Sequence, residues 1–399
     1  MSGIIGARTE QVGPSPTIAM SARATALRRE GRDIAGLSVG EPDFPVPAHV
    51  ADAMIEAIKK GMTRYTASSG TPELREAICT RTLEETGLSY KANQALVCAG
   101  AKQALYNACM VLLDPGDEVV IPNPYWVSYP DMVKLSGGVP VDLVMTAAGG
   151  WQPDVAKLEA AITPKTKMIM LGSPSNPTGA VWSKETLAGI GAVMRKHPRV
   201  VALCDDIYGR IHFPGGRAVS LLQVAPDLSD RVLVIDGCSK TYAMTGLRIG
   251  WALGPQGVIA AMNKVQDAST SNPNSVAQFG AIAALTGTQE PVAKMIAAFL
   301  TRRDRMLAAL AKGGVFAVKP DGAFYVFADV NPWLGKQKAG LKIESTWKLS
   351  EILLEEFGVA AVPGAAFGAE GYLRLSYATS EAEIDKGVER IHQGLASLS

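Results

Sequence analysis

The segment Ser239-Lys240-Thr241-Tyr242-Ala243-Met244-Thr245-Gly246-Leu247-Arg248-Ile249-Gly250-Trp251 sets one lysine in a small-residue turn just after an apolar run over 232–235. Both flanks read as buried, so Lys240 is poorly placed as a solvated surface charge. A desolvated lysine loses basicity and becomes an amine nucleophile. Ser239 and Arg248 flank it as natural ligands for oxyanions and phosphate. These residue types at this spacing point to an amine poised for Schiff-base chemistry beside a phosphate.

Five other segments bear on that lysine. Cys98-Ala99-Gly100-Ala101-Lys102 is a strand-to-helix turn whose backbone N–H groups can cradle a phosphate, or simply start a helix. Ser173-Pro174-Ser175-Asn176-Pro177-Thr178-Gly179 follows an apolar run, at the carboxyl end where ligands gather in α/β sheets. It reads either as a Pro-rich turn or as a stiff mount for Asn176. Asp205 and Asp206 follow another apolar run and precede Tyr208; a carboxylate there binds a ligand or caps the next helix. Trp126, in Asn123-Pro124-Tyr125-Trp126, offers an aromatic face for a planar ring. Arg374 lies inside the apolar run 372–377, where a guanidinium needs an anion, and a substrate carboxylate would satisfy it bidentately.

The elements that must position these residues alternate. Apolar runs predict strands over 96–98, 118–121, 139–144, 168–171, 200–204 and 232–235. Helix-period segments separate them over 100–113, 129–135, 155–161 and 184–196, after helices over 47–60 and from Thr71-Pro72-Glu73. Such alternation implies an α/β fold with a mostly parallel central sheet flanked by helices. After Pro273 a long helical stretch to 311 precedes strands over 315–318 and 324–327, a helix over 345–357, strands near 359–362 and 372–375, and a helix from Ser380. The expected division is a large domain over 48–288 and a smaller α+β domain of 289–399 with the arm 1–47.

Composition removes several function classes. With 39 basic against 38 acidic residues the net charge is +1, and no basic stripe stands out, so nucleic acid is not the expected partner. Residues 1–13 show no basic region followed by an apolar core, and no apolar run approaches the roughly 18 residues of a membrane span. No C-x-x-C pair occurs among Cys79, Cys98, Cys109, Cys204 and Cys238, which read as small buried hydrophobes in a reducing cytoplasm. The four histidines form no cluster, so no metal site is expected.

Taken in order, these segments resemble the class I aminotransferases, the pyridoxal-phosphate fold-type-I family. The resemblance runs from Pro14-Ser15-Pro16-Thr17 to Arg374. Gly40-Glu41-Pro42-Asp43-Phe44, Pro124-Tyr125-Trp126-Val127-Ser128-Tyr129-Pro130 and Ala243-Met244-Thr245-Gly246 are closest to its bacterial aspartate/prephenate branch. The resemblance implies pyridoxal 5'-phosphate linked to Lys240, which also shuttles the α-proton. It implies Asp205 at the protonated ring nitrogen, a better electron sink than a neutral pyridine. Tyr208 and Asn176 match the groups at the phenolic oxygen, and Trp126 the ring-stacking aromatic. Gly100, Ala101, Ser239 and Arg248 match the phosphate cup, beside Lys102, and Tyr65 a tyrosine reaching the neighbouring subunit's phosphate. Arg374, Asn176 and the Gly40 backbone match the grip on the α-carboxylate, with Trp126 above it, and Lys102 with Thr17 the wall facing a distal carboxylate.

The implied function is a ping-pong amino transfer between an L-amino acid and a 2-oxo acid in a cytoplasmic homodimer. An acidic donor (aspartate or glutamate) is expected, with aromatic partners or prephenate as the wider set. Gly209-Arg210 replaces a bulkier acidic-plus-histidine pair, Gly-Ala-Lys stands for Gly-Gly-Lys, and Pro16 for alanine, which bears on substrate identity. The rival on the same fold is a β-lyase. An effector domain of a transcription regulator would need a DNA-binding module before it, and a nicotinamide site would need a G-x-G-x-x-G after a strand.

Overall fold

The alternating middle of the chain builds one seven-stranded sheet in the computed structural model, which describes residues 4–399. Residues 1–3 of the expected arm lie outside the described residues. The strands are β1 (Ala95–Cys98), β2 (Glu118–Asn123), β3 (Val139–Val144), β4 (Thr166–Gly172), β5 (Val201–Asp205), β6 (Val232–Gly237) and β7 (Gly250–Leu253). Their spatial order is β1-β7-β6-β5-β4-β2-β3. β7 runs antiparallel to both its neighbours, whereas β6, β5, β4, β2 and β3 pair in parallel.

A sheet covered on both faces needs strands without a polar side, and every residue of β1, β6 and β7 is buried. Two apolar clusters form, one holding Leu203, Leu233 and Ile235 and the other Ala202, Cys204, Val232 and Val234, as alternation along β5 and β6 requires. Local caps fix the helices. Thr71 accepts from Leu74 N at the start of Pro72–Thr86, and Ser380 accepts from Glu383 N at the start of Glu381–Ala396.

The last part of the chain supplies a three-stranded antiparallel sheet, Val362–Pro363, Tyr372–Ser376 and Tyr325–Asp329. Ala35–Gly36 pairs in parallel with Val359–Ala360, tying the start of the chain to it. Two expectations need correction, and one helix has no counterpart among them. The long helical stretch after Pro273 is two helices, Ser275–Thr286 and Glu290–Lys312, parted near Gly287. Residues 315–318 form no strand, because only Ala317 makes an isolated bridge, to Ala328. A helix over Pro16–Arg29 went unread; it buries only Ala24 and Leu27, so its apolar stripe is thin.

Candidate active site

The carboxyl ends of β4, β5 and β6 meet the 38–41 loop and the strand carrying Arg374 around a cavity of about 480 Å³. Lys240 sits on the one-turn helix Cys238–Thr241 that follows β6 directly. Its Nζ donates to the Gly40 carbonyl at 2.6 Å. Burial lowers the amine's pKa to about 8; Arg374 and Arg248 push the same way, and Glu41 and Asp205 oppose. The neutral, nucleophilic form is thereby brought near physiological pH.

Asp205 ends β5 and is 6% exposed. Its Oδ2 accepts from the Tyr129 hydroxyl at 2.7 Å and its Oδ1 from the Ile207 N–H at 3.3 Å. Burial still pushes the carboxyl up to about 6, against both hydrogen bonds and the attraction of Lys240. A carboxylate so held, on the wall of a cavity, is short of a cation. The Tyr208 hydroxyl shares a hydrogen with that of Tyr325 at 2.8 Å, and burial raises its pKa well above the usual phenol value.

Arg374 is the converse case. Its Nη2 donates to the Ser38 carbonyl at 2.7 Å and its Nη1 to Asn176 Oδ1 at 3.1 Å, over the rings of Tyr325 and Phe367. Its buried Nε has no partner, and burial lowers its pKa. A buried guanidinium without a carboxylate partner is a receptor for an outside anion.

A second anion position is built from backbone. Gly100, with φ +86°, precedes the helix Ala101–Leu112, whose first residues Ala101 and Lys102 line the cavity; the N–H groups of a helix's first turn are available to an anion. The Arg248 guanidinium lies against it: a Cβ at Gly100 would fall 2.4 Å from Arg248 Nη2. Arg248 is held by the Thr245 and Ala99 carbonyls, and Ser239 lines the cavity beside it. On another wall Lys102 Nζ lies 4.6 Å from the Trp126 ring centre and donates to Ser128 Oγ at 3.2 Å. Thr17, paired with Ser15 at 3.1 Å, also lines the cavity.

A model of the family described as aminotransferase class I and II matches residues 32–391. The chain belongs to the class I and II aminotransferases. It is 44% identical to an aspartate/prephenate aminotransferase of Nitrosomonas europaea over 96% of this chain and 98% of that one. It is 46% identical to a protein of the same name from Cereibacter sphaeroides over 98% of each. Its fold matches the aspartate aminotransferase of Rhizobium meliloti with a TM-score of 0.95, at 44% identity over 99% of each chain. The Thermus thermophilus aspartate aminotransferase solved with maleate matches with a TM-score of 0.92, at 41% identity over 99% of this chain and 100% of that one.

The chain is therefore an aminotransferase of fold type I, a family that implies pyridoxal phosphate. The relatives named above do not favour the β-lyase alternative. Its cavity brings together Thr17, Gly40, Ala101, Lys102, Trp126, Asn176, Asp205, Tyr208, Ser239, Lys240, Arg248 and Arg374. Gly100 lies immediately behind Arg248, and Tyr65 is 91% exposed and outside the cavity. Gly209 and Arg210 do not line this cavity. Tyr129 and Tyr325 touch site residues and were not singled out; a phenol at a helix start or in an apolar strand looks like core. No helix among the described residues is long and apolar enough to cross a membrane, and no cluster of three metal-ligating side chains occurs among them.

Proposed function

We propose that this aminotransferase holds pyridoxal 5'-phosphate on Lys240 and moves the amino group of an acidic L-amino acid to a 2-oxo acid. The observation that carries the reading is one cavity containing a depressed amine, a cation-poor carboxylate and two anion sites. That donor set fits a group with an aldehyde, a protonated ring nitrogen and a phosphate, together with a substrate carboxylate. When bound, the cofactor supplies the aldehyde that lysine and substrate exchange and the ring that delocalises a carbanion's electrons.

Asp205 would hold the ring nitrogen's proton, backed by Tyr129. Tyr208 and Asn176 would bond the phenolic oxygen, and Trp126 would cover the ring. Gly100, Ala101, Ser239 and Arg248, with Lys102 nearby, would take the phosphate. Arg374, with Asn176 and the Gly40 backbone, would orient the substrate through its α-carboxylate. Lys240, once displaced, would be the base that takes the proton from the substrate Cα and carries it during the transfer. The second half-reaction runs these steps backwards with another 2-oxo acid.

Lys102 and Thr17 line the cavity and would face the substrate's far end, and a cation there supports aspartate or glutamate, with prephenate or an aromatic partner in the wider set. The exposure of Tyr65 supports a homodimer in which it serves the neighbouring site. The division at 47/48 and 288/289 belongs to the same reading. So does a cytoplasmic location, which the five free cysteines support.

Borohydride reduction of the holoenzyme tests the core of the proposal. Cofactor fixed on Lys240, abolished turnover in Lys240→Ala, and one oxaloacetate formed per amino group accepted from aspartate are the expected results. Fixation elsewhere, or release of pyruvate and ammonia without an acceptor, would overturn it. A fully active monomer by light scattering would overturn the dimer.

A further inference from the structure

Next to the cavity, five charged side chains form a network that the reaction does not consume. Arg217 Nη1 lies 2.9 Å from Asp236 Oδ2 and 3.5 Å from Glu85 Oε2, and its Nη2 lies 3.7 Å from Asp206 Oδ2. Glu85 also accepts from Arg210 Nε at 2.9 Å, and Arg210 donates to the Tyr242 hydroxyl, which donates to Gln289 at 2.9 Å. The Arg217 and Asp236 side chains are each only 8% exposed. Gly209 is part of the device: a Cβ there would fall 3.0 Å from Arg217 Cζ and Nη2, so its missing side chain leaves the guanidinium its place. The Gly209-Arg210 pair thus serves this network.

We infer that Arg217 is a positioning residue for amino transfer, tying the strand end that carries Asp205 to the strand end that delivers Lys240. Asp206 directly follows Asp205 at the end of β5, and Asp236 is the second-last residue of β6. The ladder between these strands closes with Asp205 opposite Ile235, and the Asp206 N–H donates to the Ile235 carbonyl at 2.8 Å. Beyond that bond, Arg217 bridges the two carboxylates. Only Gly237, Cys238 and Ser239 separate Asp236 from Lys240, and Gly237 packs against Gly250, where a Cβ would fall 2.8 Å from Gly250 Cα. Little slack therefore exists to absorb a displaced strand end.

Without a cation between them, two buried carboxylates repel and are left unpaired. Asp205 is faced by Tyr129, Asp236 and Lys240, and Asp206 by Arg217, Asp236 and Asp205. Burial pushes the Asp206 carboxyl up to about 7 even with Arg217 pulling it down. Arg217 is thus the cation that keeps the pair together.

The inference rests on the reading of Asp205 and Lys240 as cofactor partners. Its test uses the holoenzyme, with Arg217→Lys, which keeps the charge, and Arg217→Met/Asp236→Asn, which removes the cation and its nearest carboxylate, leaving Glu85 to Arg210 and Asp206 without the bridge. The double variant is expected to lose about tenfold or more in kcat and to change the visible circular dichroism of the bound cofactor, because small misplacements at a reacting centre are costly. Arg217→Lys is expected to fall between wild type and the double variant in both, since it keeps the charge but cannot reach Asp236 and Asp206 from two nitrogens. A double variant with wild-type dichroism and kcat but a lower Tm would overturn the inference and leave Arg217 to the fold alone. Borohydride reduction of the wild type is run in parallel. Failure to fix cofactor on Lys240 would sink the underlying reading, while a null result in the double variant with normal fixation sinks the inference only.

Discussion

Tyr129 gives its hydroxyl hydrogen to Asp205 Oδ2 at 2.7 Å, and Gly172 on the neighbouring strand leaves room for it, since a Cβ there would lie 2.9 Å from the same hydroxyl. The hydrogen bond stabilises the carboxylate that burial disfavours. Tyr129→Phe is expected to raise the Asp205 pKa further and weaken its hold on a protonated ring. Hydrogen bonds to charged groups contribute about 1.5–3 kcal/mol, so cofactor affinity should fall roughly 10–100-fold, read by equilibrium dialysis. Gly172→Ala should move affinity in the same direction; unchanged affinity in both variants would dismiss the contact as passive.

The apoprotein should show Lys240 as an unusually acidic lysine. Competitive acylation is expected to give a midpoint of about 8, while surface lysines titrate near their ordinary value of roughly 10.4. The folded pKa lies below the unfolded one, so the cost of burying this charge is fully present below about 8. It is relieved as pH rises through the unfolded value. Asp205 and Asp206, raised to about 6 and about 7, act in the other sense, costing stability as pH climbs from the unfolded carboxylate range through those values. The two effects occupy separate windows, so urea melts of the apoprotein across pH should resolve them. A Lys240 midpoint above 10 would contradict the desolvated cavity.

Asp205, Asn176 and Lys240 were legible as candidates because each lies at or just past the end of a buried strand, and a buried strand announces itself as a short apolar run bounded by turns. The partners of these residues were not. Arg374 meets Asn176 across 198 residues of sequence, and no local pattern encodes that pairing. Tyr129 and Tyr325 are hidden because a hydroxyl adds nothing to the apolar periodicity that places the ring. Arg217 lies in the small-residue segment Gly215-Gly216-Arg217-Ala218, which reads as an exposed turn, yet its side chain is buried among three carboxylates.

Lys102 separates substrates by charge in the proposed site. Its amine rests on the Trp126 ring and Ser128 at the exposed edge of the cavity, so an incoming carboxylate meets a cation already held in place. Lys102→Ala is expected to lower kcat/KM for aspartate and glutamate by roughly 10–100-fold, the scale of one charged hydrogen bond. Neutral and aromatic donors should stay within a few-fold. Uniform loss across a donor panel would instead assign Lys102 to the phosphate end.

Gly250 controls how closely β7 approaches the turn that opens the proposed phosphate cup. A Cβ at Gly250 would fall 2.2 Å from the Ala101 nitrogen and 2.6 Å from the Gly100 carbonyl carbon. Both are backbone atoms, which cannot rotate aside as a side chain can, so Gly250→Ala must move the turn or the strand. Overpacking of this kind costs about 1–3 kcal/mol, and more where the backbone is fixed, so the apoprotein Tm should drop by several degrees. Cofactor affinity should fall with it if, as proposed, the N–H of Ala101 belongs to the phosphate cup. Gly246→Ala, in the same segment but with nothing within 4 Å of its new Cβ, should stay within about 0.5 kcal/mol of wild type. Equal Tm values for the two alanine variants would refute the close approach.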